Sequence, residues 1–382
     1  MNARISSDRQ SSQDSEAELR QMLVESARRW GEAANSPAIR AQVSSHVAGC
    51  STERWRELAD LGWVGMHLPQ EDGGLGAGLT EVCLLAEQLG RSLLVEPFVS
   101  CAVLGAGLFE SVSKGETRTS WLPALAAGQL RVVWMAWGED GDAQLQVPTT
   151  VGTHAREGWQ LAGRTGAMPG AAGADAYLLL AQLTPSADRS GIFLVPADAP
   201  GAVLKSLKMY DGRHGGRLTL ENAHGQLLDE GPTEAMLARL QVQLDRGLVA
   251  HCAETLGSAQ AALEITIEYL KTRRQFGRAI SDNQVIQHRL VDLYVEQQEA
   301  RSLCLAAAGC SEPRLVAALG LRTADVARHT WEEAIQLHGA IGMTEEYAVG
   351  EYVRRLALAA NLYGTPIHHA DRLAELSLGA MA

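Results

Sequence analysis

The chain has 382 residues, 46% of them hydrophobic, which is enough for two or three domains with a sizeable core. Its formal net charge of −12 argues against nucleic acid and anionic lipid surfaces as partners. Its apolar runs are too short to cross a membrane and its polar N-terminus lacks the apolar core of a secretory signal, so we expect a cytoplasmic protein.

The six cysteines are scattered singly along the chain, mostly among apolar neighbours, and none forms a C-x-x-C pair. This spacing is typical of small core residues. We therefore expect neither a disulfide framework nor a metal site.

The pattern of polar and apolar residues changes three times along the chain. Residues 1–17 are polar and are expected to form a disordered tail. Residues 18–130 are predicted to be a helical domain, because they carry amphipathic runs such as ELRQMLVESARRW and TEVCLLAEQLGRSLL. Between those runs, a proline and four glycines in HLPQEDGGLGAGL predict a loop.

Residues 131–230 contain short β-type stretches between Gly, Pro, Asp and Asn, which predicts an antiparallel β domain. Residues 231–382 return to a helical period over four or five segments and are predicted to form a helical bundle. Leu256, Leu263, Ile267 and Leu270 fall on one apolar stripe of the first of these helices. The predicted fold class is mainly α with a central β domain.

Residues 270–290, LKTRRQFGRAISDNQVIQHRL, concentrate polar side chains at a predicted helix end near Thr272. Guanidinium groups bind phosphate oxygens in bidentate fashion, and Phe276 offers a flat face for stacking. Phosphate, ring and amide contacts together suggest a nucleotide cofactor, while a solvated helix junction remains the alternative reading of these residues alone. The polar side chains concerned are Arg273, Arg274, Arg278, Gln284, Gln287 and His288.

The pattern Y-x-x-x-R-x-Q-F-G-R-x-I-x-x-x-Q-x-x-x-H-x-L in this segment resembles the signature of the acyl-CoA dehydrogenase family. Further stretches resemble that family in the same order: WRELADLGWVGMHLPQEDGGLG, EQLGRSLLVEPF, GWQLAGRTGAMPGAAGADAYLLLA and AIQLHGAIGMTEEYAVGEYVRRL. The helix, β, helix order is also the architecture of that family. The resemblance therefore covers nearly the whole chain.

The resemblance implies FAD, bound between the β domain and the bundle and completed by a neighbouring subunit. By position in the motif, Arg273 would hold the FAD pyrophosphate of a neighbour, Phe276 would pack against the cofactor and Gln284 would approach the adenosine half. The remaining matches are Gln336 and Gly339 in the loop that reaches a neighbouring FAD, Ala340 where relatives usually have a second Gly, and Thr365 near the phosphates or adenosine.

The family reaction removes the α-proton of an acyl-CoA with a carboxylate while the β-hydrogen leaves as hydride to the flavin. Tyr363 stands where many relatives have that glutamate, and Gly247 stands at the other usual position. A tyrosine is almost wholly protonated at neutral pH, so it makes a poor base. Asp245 points elsewhere on its helix, and we expect Glu254 to be a solvated or salt-bridged helix carboxylate. The catalytic residue is unknown.

The substrate side departs from the family as well. Relatives commonly show T-E-P-x-x-G-S-D where this chain reads MAWGEDGDA, and Ala167 replaces a Trp that often covers the flavin. These changes affect the substrate side of the pocket more than the phosphate side.

The C-terminal run, including LYGTPIHHADRL, looks most like the small subunits of two-component acyl-CoA dehydrogenases of the pimeloyl-CoA and steroid side-chain kinds. In such pairs one chain would complete the cofactor site and the other would supply the base. His368 and His369 fall where that branch tends to have a His, and we read them as a helix N-terminus near a phosphate or as plain surface.

The resemblance thus implies an FAD-dependent acyl-CoA dehydrogenase that passes electrons to an electron-transfer flavoprotein and works as a homo- or hetero-oligomer, a dimer or a tetramer. Whether the chain is catalytic alone stays open. Two alternatives remain: a non-catalytic partner that completes another dehydrogenase chain, and a flavin monooxygenase of the same fold.

Overall fold

A computed structural model describes residues 2–141, 143–156, 158–186, 188–344 and 347–379 of the chain. Helices occupy the first part of the chain as far as Ala126, strands run from Val132 to Pro232, and helices resume at Thr233. This order is the predicted one. The division into domains at residues 18–130, 131–230 and 231–382 stays a prediction.

The N-terminal helices pack around a core that includes the buried indoles of Trp55 and Trp63. Serine side chains define two of the helix starts, because Ser36 accepts a hydrogen bond from the Ile39 N–H and Ser51 accepts one from the Arg54 N–H. The helices are α1 (Asn2–Ala34), α2 (Pro37–Ser45), α3 (Thr52–Asp60), α4 (Leu79–Arg91), α5 (Ala106–Val112) and α6 (Gly115–Ala126), with a π-helix at Phe98–Gly105.

The first helix begins earlier than the sequence analysis predicts. The backbone is helical from Asn2, whereas residues 1–17 were expected to be a disordered tail. The segment contains no proline and no glycine, so no residue in it breaks a helix that is nucleated by the amphipathic part further along.

The central region forms one eight-stranded sheet, and its strands are β1 (Val132–Trp134), β2 (Val151–Ala155), β3 (Gly158–Arg164), β4 (Met168–Pro169), β5 (Ala176–Thr184), β6 (Arg189–Pro196), β7 (Ala202–Lys208) and β8 (His214–Pro232). Strand β8 pairs antiparallel with β3, β4, β6 and β7 and so holds the sheet together. The expected antiparallel sheet is in fact mixed, because β1 and β2 both pair parallel with β5. Pairing between strands distant in sequence produces this difference, and short strand patterns do not specify it.

The C-terminal bundle begins with α7, a helix of 40 residues that packs on α4 of the N-terminal part. The crossing depends on two glycines: a Cβ at Gly90 would lie 1.9 Å from the Glu254 carbonyl oxygen, and a Cβ at Gly257 would lie 1.8 Å from that of Glu87. The two backbones therefore touch. The elements of the bundle are α7 (Thr233–Thr272), β9 (Arg274–Gln275), β10 (Arg278–Ala279), α8 (Gln284–Cys310), α9 (Pro313–His338), α10 (Val349–Ala359) and α11 (Pro366–Gly379).

Within the described residues, no helix has the length and the apolar composition needed to cross a bilayer. The six cysteines are free thiols, of which only Cys310 is exposed. The predicted cytoplasmic location stays a prediction.

Candidate functional site

The arginine-rich segment after α7 forms a tight hairpin. Strands β9 and β10 pair antiparallel, and only Phe276 and Gly277 connect them. Both connecting residues have positive φ, 52° for Phe276 and 81° for Gly277, as a type I′ turn requires. The turn carries Phe276 outward, and its side chain is 100% exposed. A bulky residue with positive φ and no packing partner is rare, and such strain is often found at ligand sites.

Arg273 lies directly before the hairpin, where α7 ends as predicted. Its backbone is fixed at both sides, because its N–H donates to the Tyr269 carbonyl and its own carbonyl accepts from the Ile280 N–H at 3.0 Å. Its guanidinium is exposed and makes no hydrogen bond or ion pair with the described residues. Gln284 opens α8 shortly after the hairpin and is exposed as well.

The end of α9 presents the next two predicted residues. Gln336 is exposed in the last turn, and Gly339 follows the helix with φ 65° and ψ −142°, a conformation nearly restricted to glycine. No heavy atom lies within 4 Å of a Cβ built on Gly339, so the space beside it is open.

An aromatic contact connects the end of α7 with the end of α9. The Tyr269 ring stacks on the His338 ring with centroids 4.4 Å apart, and the Tyr269 hydroxyl donates to the His338 carbonyl at 3.4 Å. The segment with Arg273 and the loop with Gly339 therefore lie at the same end of the bundle. The structure brings five of the six predicted cofactor contacts to this end.

The sixth, Thr365, lies at the start of α11. Its hydroxyl oxygen accepts a hydrogen bond from the His368 N–H at 3.2 Å, which caps that helix. Capping explains a threonine here without any ligand. The reading of His369 as plain surface is wrong, because its ring is 2% exposed and packs on Gly320 in α9.

Neither usual position of the catalytic carboxylate offers a base. A Cβ on Gly247 would lie 2.2 Å from Cδ2 of Leu104, so the leucine already fills the space that a glutamate would need. Asp245 is bound by the Arg372 guanidinium through two hydrogen bonds of 2.7 Å, away from that space.

Tyr363 occupies the other position and is 6% exposed. Its ring packs on the His251 ring at 5.0 Å and on the Trp137 indole at 6.2 Å between centroids. Burial raises the pKa of the Tyr363 hydroxyl well above its ordinary value, with the Arg213 guanidinium only partly opposing it. The hydroxyl therefore stays protonated and cannot act as a general base at neutral pH.

A buried group of charges lies beside Tyr363, and sequence reasoning missed it. Arg213 contacts Asp211 at 2.6 Å and Glu254 at 3.3 Å, while Arg355 contacts Asp211 at 2.8 Å and Glu254 at 3.6 Å. We call these four residues the buried charge quartet. It joins the turn between β7 and β8 to α7 and α10. The only sequence signal was an Asp and an Arg in a glycine-rich turn, which does not reveal burial.

Glu254 is held in its ionised form by this quartet. Burial alone would raise its pKa, but the Arg213 charge, a hydrogen bond with His251 and the Arg355 charge together lower it to about 2. The expectation of a salt-bridged carboxylate is confirmed, whereas a solvated one is not, since Glu254 is 5% exposed. Its low proton affinity makes it a structural group.

The cavities around Tyr363 are small. One of about 20 Å³ is lined by Tyr363, Arg213 and Glu254, and another of about 10 Å³ is lined by His251 and Gly364. Roughly 10 to 15 Å³ is the space that one water needs. No described cavity at Tyr363 could therefore hold an acyl chain.

A larger cavity of about 460 Å³ lies along the MAWGEDGDA segment. It runs from Trp134 past Asp140 to Thr150 and reaches Leu240 on α7. This volume is typical of small-molecule sites. The segment that departs from the family pattern thus lines open space between the sheet and α7.

Comparison with known proteins identifies the family of the chain. Residues 17–129 match the family model "Acyl-CoA dehydrogenase, N-terminal domain", and residues 237–376 match "Acyl-CoA dehydrogenase, C-terminal domain". The chain belongs to the acyl-CoA dehydrogenase family. The family resemblance and the fold class predicted from the sequence are confirmed.

Among curated relatives, the acyl-CoA dehydrogenase IpdE2 of Mycobacterium tuberculosis is 27% identical over 360 residues, which are 93% of this chain and 96% of the relative. Acyl-CoA dehydrogenase FadE12 of the same organism is 26% identical over 332 residues, covering 81% and 83% of the two chains.

Solved structures give the same fold. A variant of the Tcur3481–Tcur3483 steroid ACAD is 26% identical with a TM-score of 0.84, covering 96% of this chain and 99% of that one. The ChsE4–ChsE5 complex of Mycobacterium tuberculosis is 23% identical with a TM-score of 0.84, covering 94% and 97%. At that identity, the second supports the fold alone.

Proposed function

We propose that this chain is one subunit of a heteromeric FAD-dependent acyl-CoA dehydrogenase, in which it completes a flavin site and a related chain supplies the catalytic carboxylate. The observation that carries the proposal is Tyr363, which replaces the base and is sealed between Trp137 and His251. A chain with the proposed cofactor hairpin and no carboxylate at either usual position of the base, Gly247 or Tyr363, would need a catalytic partner.

The residues at the bundle end fit FAD. Arg273 offers a phosphate a guanidinium that has no partner in the described part of the chain, Phe276 an exposed ring for packing, and Gly339 an open space beside its Cα. Gln284 and Gln336 would add amide hydrogen bonds. FAD, when bound, supplies the acceptor for the β-hydrogen of the substrate. The role of this chain is to bind and orient the diphosphate half.

We also propose that the Thr365 hydroxyl contacts FAD. Its hydroxyl oxygen already accepts from the His368 N–H, and its own hydrogen stays available as a donor. A phosphate or ribose oxygen near the N-terminus of α11 could accept from it while the cap persists.

The acyl-CoA would lie mostly against the partner chain. In this chain the indole of Trp137 and the ring of Tyr363 are in contact, so the space beside the position of the base is filled. The cavity of about 460 Å³ along the MAWGEDGDA segment remains available for a slender part of the thioester. We propose that electrons pass from the assembled enzyme to an electron-transfer flavoprotein.

Relatives lend support to the two-chain arrangement. The Tcur3481–Tcur3483 structure, which is 26% identical to this chain, carries two protein names and is described as a steroid ACAD. By analogy we infer an acyl-CoA substrate from fatty acid or steroid side-chain degradation. The flavin monooxygenase alternative stays untested.

An absorbance spectrum tests the proposal. The chain is purified alone and after co-expression with a related dehydrogenase chain, and each sample is scanned before and after addition of a panel of acyl-CoAs. We expect flavin absorbance and its bleaching by an acyl-CoA only for the co-expressed pair. Bleaching of flavin in the isolated chain would contradict the proposal.

A further inference from the structure

A second large cavity lies away from the bundle end described above, where all three parts of the chain meet. It has a volume of about 560 Å³ and is bounded by α2, by the turn between β7 and β8 and by α10. We call it the α2–α10 cavity. None of the six predicted cofactor residues lines it, and neither does Tyr363.

Most of the charged side chains that line the α2–α10 cavity belong to neutral ion pairs. Arg40 binds Glu351 with two hydrogen bonds of 2.9 and 2.8 Å, which makes a neutral bidentate pair. The buried charge quartet supplies the lining residues Asp211 and Arg355, and its two arginines balance its two carboxylates. The carboxylates of this wall are therefore committed to other partners.

Two cations remain without a partner. Lys208 at the end of β7 and Arg354 in α10 both line the cavity, and neither makes a hydrogen bond or an ion pair with the described residues. They give the cavity an excess of about two positive charges. Such an excess at a concave surface attracts a dianion rather than a neutral ligand.

An exposed aromatic ring stands at the rim. Tyr210 lies in the tight turn closed by the hydrogen bond from the Gly212 N–H to the Met209 carbonyl at 3.0 Å, and it is 68% exposed. The ring offers a flat face on which a planar ligand can stack. Tyr210 follows Lys208 by two residues, and both residues line the cavity.

We propose that the α2–α10 cavity binds a phosphate-bearing ligand with a planar ring, such as a nucleoside diphosphate, through Lys208, Arg354 and Tyr210. Guanidinium and ammonium groups bind the phosphates, and the ring of the ligand stacks on the tyrosine. The volume fits, since small-molecule sites measure roughly 300 to 1,000 Å³. This site is separate from the proposed flavin contacts at Arg273.

Isothermal titration of the full chain with ADP and with inorganic phosphate tests the site. We expect Arg354→Gln and Lys208→Gln each to weaken ADP binding about tenfold or more, since each removes a charge-assisted hydrogen bond. Tyr210→Ala should weaken ADP binding and leave phosphate binding unchanged. Circular dichroism melting of each variant shows that the fold is intact.

The matched control is Lys205→Gln, on the same strand as Lys208. Lys205 is exposed but does not line the cavity, so its loss should leave ADP binding unchanged. Equal weakening by Lys205→Gln would reveal non-specific charge attraction and overturn the proposal. No ADP binding by the wild-type chain at millimolar concentration would also overturn it.

A flavin-site variant separates the two proposals. Arg273→Ala should leave ADP affinity at the α2–α10 cavity unchanged, whatever it does to flavin. If Arg273→Ala alone abolishes ADP binding, the nucleotide binds at the hairpin, and the cavity proposal fails while the flavin proposal gains support.

Discussion

The Tyr363 ring meets the Trp137 indole edge-on, with 6.2 Å between the ring centroids and 62° between the planes. Tyr363 comes from the segment after α10 and Trp137 from the segment after β1, so the contact closes the sheet onto the bundle. Tyr363, in the position of the base, is thus held in place by packing, and its protonated hydroxyl is also unsuited to act as a base.

Restoring a carboxylate at position 363 should not by itself restore acyl-CoA oxidation. We expect Tyr363→Glu to leave the isolated chain without measurable acyl-CoA oxidation, because Trp137 would still fill the space beside position 363. Adding Trp137→Gly makes room, and the double variant should exceed the single one. Reduction of an artificial electron acceptor by a panel of acyl-CoAs measures this, and activity of the single variant would show that the indole is no obstacle.

Arg273→Ala should weaken flavin binding by the assembled pair. The guanidinium has no partner in the described chain, so its loss removes a phosphate contact worth roughly 1.5 to 3 kcal/mol, about 10- to 100-fold in dissociation constant. Lys271→Ala is the control, since Lys271 is an exposed cation nearby that already pairs with Glu268 at 2.7 Å. Fluorescence titration measures the affinity of each variant for FAD. Equal affinities of Arg273→Ala and Lys271→Ala would refute the assignment of Arg273 to the flavin site.

Gly257→Ala should destabilise the chain by about 3 kcal/mol or more, because the new methyl would lie 1.8 Å from the Glu87 carbonyl oxygen and force α4 and α7 apart. Gly309→Ala is the matched control: no heavy atom lies within 4 Å of its Cβ, and alanine favours a helix by up to about 1 kcal/mol. Urea denaturation measures both. A loss of stability no larger for Gly257→Ala than for the control would mean that the helices do not cross this closely.

Acid should destabilise the fold through Glu254. Its pKa in the folded chain is about 2 against 4.5 for the free side chain, so the ionised carboxylate stabilises the fold above about pH 4.5. That contribution, about 3 kcal/mol, is lost as the pH falls through 4.5 towards 2. Unfolding free energies measured across this range should fall more steeply for wild type than for Glu254→Gln, which has no proton to bind.

The Gln variant should also be less stable at pH 7, by about 3 to 5 kcal/mol, because two buried arginines would then share one carboxylate. If the free energy of unfolding changed with pH in the same way for wild type and Glu254→Gln, the result would contradict the assigned role of Glu254 in acid stability.

Local sequence signals were sufficient for the architecture and for the helix end before the hairpin. The segment EYLKTRRQFGRAI predicts a helix end near Thr272, and α7 ends there, whereas the chain reversal at Phe276 and Gly277 was not predicted. A helix end depends mainly on neighbouring residues, so local sequence can predict it. The family resemblance, not a local signal, led to Gln336 and Gly339, which lie near Arg273 through the Tyr269–His338 stack.

Features that depend on contacts between distant residues were not accessible. Glu254 sits in a run of small apolar residues, and only the approach of α4, α10 and the turn after β7 makes it a buried ion. The parallel pairing of β1 with β5 and the burial of His369 depend in the same way on distant segments. Periodicity within one segment does not report which partner covers it.

The exposed ring of Phe276 has a consequence for the living cell. The phenyl group stands fully exposed at the tip of a cationic turn, where the surface of a partner chain would be able to cover it. Under the proposed two-chain arrangement the partner would cover this ring, so balanced synthesis of the two chains would keep it covered.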